Sequence, residues 1–106
     1  MPPAKTVVAA RVREIATILD IPLPSIMTSD LIWAEAVHMV AHGSLDILLH
    51  KHTTNAQIHD AIADWYPFAP NQGLTDRIAT HRDVIIAKLV DIKTVVNIAT
   101  DIPIHV

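Results

Sequence analysis

Glu35, His38 and His42 stand three and four residues apart. On a helix that spacing sets a carboxylate and two imidazoles on one face over adjoining turns. Helical bundles offer ligands to iron, manganese or zinc in this way, a Glu-x-x-His on one helix meeting matching ligands on its neighbours. Here the motif occurs once, and the other helices supply His59, Asp60, His81 and Asp83 without repeating it. The metal-binding bundle is therefore a second choice behind a plainer reading, in which these residues form a solvated polar stripe. His50, His52 and His59 make another histidine group, which as neutral imidazole could bind metal and by protonation near about pH 6 could act as a switch. The negative end of a helix favours such side chains, so they are expected at helix ends.

Trp65, Tyr66 and Phe68 are three of the four aromatic residues, gathered beside Pro67 and Pro70. Such a cluster suits a partner-binding hot spot, because each ring buries a large area at low entropic cost. Trp33 is the fourth candidate contact. The competing reading puts Trp65 and Phe68 into the end of the bundle, with Tyr66 at its rim.

Arg77, Thr80, His81 and Arg82 sit near the start of a helix and could enter a major groove. Residues 66–73, however, form a longer, proline-containing connection than the three or four residues or so of a helix-turn-helix. A DNA-binding regulator is thus a third reading, and nucleic acid an improbable partner: the net charge is −3 and the basic residues are scattered, where phosphate contacts call for a basic patch. With only Gly43 and Gly73 and no cysteine, the chain offers neither a glycine-rich phosphate loop nor a thiol nucleophile nor thiolate metal ligands. No enzyme activity and no cofactor are expected.

The elements that must position these groups are helices. Val8, Val12, Ile15 and Leu19 repeat at spacings of four, three and four, which predicts a first helix over about 3–20, ended by Pro22 and Pro24. The stretch 29–52 has one narrow polar stripe and an apolar surface wider than a surface helix needs. It reads either as one helix or as two, split at Gly43 acting as a left-handed cap. Thr54 and Gln57 match a capping box that opens a third helix over about 54–65. Ile78, Ile85, Leu89, Ile92, Val96 and Ala99 carry a fourth over about 75–100, and Val84, Ile86, Val90, Val95 and Ile98 widen its stripe well beyond one seam. Ile26 and Met27 are expected to pin their loop to the core, and the tail from Asp101 to be extended and docked.

Strand-like alternation is nearly absent, so the fold class is all-α, a four-helix bundle-like single domain. At 106 residues the chain suits one domain. Apolar residues make up 51% and charged residues only 18%, a balance that favours covering some outer surface with another molecule. No targeting segment or membrane span is apparent, and a cytoplasmic location is expected. The function expected is that of a small non-enzymatic interaction or assembly protein, acting through an apolar helix surface in a homo-oligomer or on a protein partner.

Overall fold

The computed structural model describes residues 3–48, 50, 52–66 and 73–100, most of which are helical. The fold is all-α, with no strand among the described residues. Helices α1 (Ala4–Ile18), α2 (Ser29–Ala41), α3 (Ser44–Leu48), α4 (Asn55–Ile62), α5 (Leu74–Thr80) and α6 (Arg82–Thr100) follow in order, with a 3₁₀ turn at Ala63–Trp65 after α4. Phe68 and the Asp101–Val106 tail, to which the sequence gives an aromatic contact and a docked strand-like path, lie outside the described residues.

α1, α2 and α6 pack mutually, and α1 makes its most extensive contact with α6. The expected stripes are buried at Val8, Val12, Ile15 and Leu19 on the first helical stretch, at Ile78 on α5 and at Ile85, Leu89, Ile92 and Val96 on α6, while Ala99 at the end of the last stripe is exposed. Ile32, Ala36 and Met39 complete this core from α2. α3 packs on α4 and α4 on α5, so the short helices form a run that joins α2 back to the start of α6. The shortest dimension of the molecule is 21 Å, about two helix diameters. Consequently a helix packed on its inner side keeps an outer side that the other described helices leave open.

The helix boundaries correct the sequence reading at several points. α1 ends at Ile18, ahead of the prolines, in a Schellman motif: the Ile21 N–H donates to Ala16 O (2.9 Å) and the Asp20 N–H to Thr17 O (3.2 Å). Asp20 takes the left-handed position at φ 54°, where glycine is the usual occupant. Pro22 therefore follows a stop already made. α2 is capped by Thr28, whose Oγ1 accepts from the Leu31 N–H (3.3 Å), while the Ser29 hydroxyl accepts from Arg13 (3.1 Å). Of the two readings of 29–52 the split one holds: Gly43 turns at φ 73° and α3 starts at Ser44.

The helix expected over 75–100 is interrupted at His81, which leaves helical geometry at φ −113°, ψ 22°. Hydrogen bonds from the His81 N–H to Arg77 O and from the Ile85 N–H to His81 O span the break and keep the two pieces connected. At Thr54 the capping box forms as its spacing predicts, with the Gln57 N–H donating to Thr54 Oγ1 (3.1 Å) and the Thr54 N–H to Gln57 Oε1 (2.8 Å).

Asp20 combines a left-handed backbone, which disfavours any Cβ, with a carboxylate at the negative end of α1. Asp20→Gly should relieve both and raise stability by about 0.5–1 kcal/mol, less whatever the freer unfolded chain takes back. Thermal denaturation is expected to show a midpoint a few degrees higher, and an unchanged or lower midpoint would contradict this account of the turn.

Candidate functional site

The histidine and carboxylate stripe does not assemble into a ligand set. His38 and His42 are exposed and Glu35 is half-buried. The two imidazole rings lie against each other, centroids 4.1 Å apart and planes inclined by 37°. His42 Nδ1–H donates to His38 O at 2.9 Å, so this ring caps the last turn of α2 with one of its two nitrogens. Among the described residues no three His, Asp or Glu side chains converge where an ion could sit. The metal reading of Glu35, His38 and His42 therefore lacks the convergent donors it requires. In the second histidine group His50 and His52 are exposed, while His59 is half-buried beside Asp60 Oδ1 at 3.3 Å.

The aromatic corner is interior. Trp65 is fully buried and its indole N–H donates to Ile32 O (3.2 Å). Tyr66 is buried too, and its phenol donates to Val12 O (2.6 Å). The 3₁₀ turn carries both rings inward, where each polar tip finds a helix carbonyl and each apolar body fills the core. As contact surface for a partner, Trp65 and Tyr66 are withdrawn, which corrects the first expectation. Trp33 is half-buried and packs on the core's edge.

The proposed groove-reading residues are likewise committed within the chain. Arg77 Nε donates to Leu19 O (2.8 Å), tying α5 to the end of α1. Arg82 donates to Asn55 Oδ1 (2.7 Å) and to Thr53 O, joining the starts of α6 and α4. The same holds across the molecule. Lys5 meets Asp30 (2.5 Å), Arg13 meets Ser29, and Lys93 meets Asp46 (2.5 Å). Glu14 accepts from Lys88 (2.7 Å) and Arg11 (2.8 Å), while Arg11 also approaches Asp91 (3.5 Å). The Lys88 hydrogen bond, aided by the charges of Lys88 and Arg11 and opposed by partial burial, holds the Glu14 carboxyl below its ordinary range. Every described Lys or Arg thus has an intramolecular partner.

What remains open is the outer side of α6. Val84 (49% exposed), Val90 (39%) and Ile98 (79%) face outward, with Ala87, Thr94, Asp83 and Asp91 exposed among them. On a helical wheel these positions fall within about 120° of one another, a stripe roughly 22 Å long. Leu31 on α2 and Ile26 in the loop before it are also exposed, so Ile26 does not anchor its loop as expected. The breadth of the α6 stripe was visible in the sequence; which half of it faces outward depends on the α1 contact. A shallow depression of about 380 Å³ lies at the break between α5 and α6, lined by Ala79, Thr80, His81, Arg82, Asp83 and Val84.

No helix among the described residues is long and apolar enough to cross a membrane. No family model matches the chain, and no curated protein or solved structure matches it.

Burial pushes the Tyr66 phenol well above its ordinary value of 10.0. The unfolded chain ionises there first while the folded one keeps its proton, so the stability this group contributes is present below about pH 10 and lost as pH rises beyond it, by up to about 1.4 kcal/mol per pH unit. Tyr66→Phe should flatten that alkaline loss and lower neutral-pH stability by about 1 kcal/mol. Denaturation followed from pH 8 to 11, on the order of the phenol range, checks both signs. Titration of Zn²⁺ by calorimetry is expected to show no site tighter than about 10 μM; a tighter one abolished by His38→Ala would restore the metal reading.

Proposed function

We propose that this protein is a small non-enzymatic interaction module that acts through the outer face of α6. The observation that carries the reading is the exposure of Val84, Val90 and Ile98 along one side of a helix whose other side is fixed in the core. Single exposed apolar residues are ordinary on any surface, whereas several aligned along one helix are what an association surface offers. Two further facts favour α6 over the other candidates. Trp65 and Tyr66 face the interior, and the stripe of His38 and His42 is polar.

A photo-cross-linking amino acid placed at Ile98 should capture a discrete protein product in the native cell, and one placed at the exposed Asp60 on α4 should not. Equal capture from both positions, or none from Ile98, would refute the assignment of this face. Ile98→Asn, at an exposed site, should leave the thermal midpoint within a few degrees, since surface changes of this kind alter stability by about 0.5 kcal/mol or less.

A further inference from the structure

Two carboxylates stand within the outer face of α6 itself. Ala87, Thr94 and Ile98 mark its middle line; Asp83 lies with Val90 on one side of that line and Asp91 with Val84 on the other. Asp83 is exposed and has no described cation paired with it, and Asp91, 61% exposed, has only the long 3.5 Å approach of Arg11. The lysines of the same helix cannot balance them, since Lys88 is held by Glu14 and Lys93 by Asp46. The face is therefore apolar along its middle and negative on both flanks.

Resting on the association role of this face, we propose that its occupant is an amphipathic helix of another protein with basic side chains flanking its apolar stripe. Charge decides between this partner and a second copy of the chain. Laid parallel, two α6 helices set opposite flanks together, so Asp83 meets the Val84 side of the second copy and gains no counter-charge. Laid antiparallel they bring like flanks together: about Asp91 that residue meets itself, and about Ala87 Asp83 meets Val90 and Asp91 meets Val84. One of these registers sets like charges together and none brings a described cation to Asp83 or Asp91, so a second copy leaves both flanks unbalanced. A helix with Lys or Arg on both edges meets the same apolar line and neutralises both flanks.

The probe is a synthetic helical peptide of leucine and lysine at amphipathic spacing, compared with one in which glutamate replaces lysine. Titrated by fluorescence anisotropy at about 0.1 M salt, the basic peptide should bind the full chain about tenfold or more tighter than the acidic one. Asp83→Asn with Asp91→Asn should erase that preference while circular dichroism stays unchanged, and Ile98→Asn should weaken the basic peptide with the charges intact. Equal binding of the two peptides, or a preference that survives in the double variant, overturns the proposal. If cross-linking at Ile98 succeeds while the preference is missing, the face keeps its role and the basic partner falls. A dimer mass in light scattering that Ile98→Asn dissolves would then put a second copy there.

Discussion

The contact between α1 and α6 is the constraint that orders the whole molecule. Val8, Val12 and Ile15 meet a helix whose Ile85, Leu89, Ile92 and Val96 are all buried, and the Glu14, Arg11, Lys88 and Asp91 side chains brace the edge of that contact. Burying each of those large side chains is worth about 1.5–3 kcal/mol, whereas a half-exposed ion pair contributes about 1 kcal/mol or less. The apolar contact thus sets the rotation of α6, and the charges trim it. Once that rotation is set, Val84, Val90 and Ile98 have nowhere to go but outward.

Two buried hydrogen bonds extend the same logic to the middle of the chain. The indole of Trp65 reaches a carbonyl of α2 and the phenol of Tyr66 a carbonyl of α1. A buried donor left unpaired would be costly, so these two tips fix where the 3₁₀ turn sits as firmly as the rings fill space. Arg77 and Arg82 do comparable work at the ends of α1 and α4. Polar groups that a reading of the sequence would assign to partners are here fastening one helix to another.

How far the sequence discloses this depends on whether a feature is local. The stripes Val8, Val12, Ile15, Leu19 and Ile85, Leu89, Ile92, Val96 show in their periodicity, and the Thr54–Gln57 box shows because both partners lie within one turn. The break at Gly43 was one of two open readings for the same reason. The break at His81 carries no glycine or proline to mark it, and the left-handed turn at Asp20 lacks the glycine that would announce it. Trp65 and Tyr66 find their acceptors 33 and 54 positions away, a separation at which residue type says nothing of inside or outside. The pairing of the cations is equally long-range: Lys88 and Glu14 stand 74 positions apart. In the candidate face, the apolar stripe and the spacing of Asp83 and Asp91 along it are legible in the sequence, and the outward orientation of that side is not.

α6 carries two seams. Ile85, Leu89, Ile92 and Val96 step by four, three and four toward the interior; Val84, Ala87, Asp91, Thr94 and Ile98 step by three, four, three and four on the far side. The far seam's mean step of about 3.5 residues is slightly shorter than the natural turn of about 3.6, so a rod that follows it wraps around α6 with left-handed twist at a shallow angle of about 20°. A helix laid along the second seam would therefore coil about α6 instead of crossing it, and α6 would become a party wall common to two bundles.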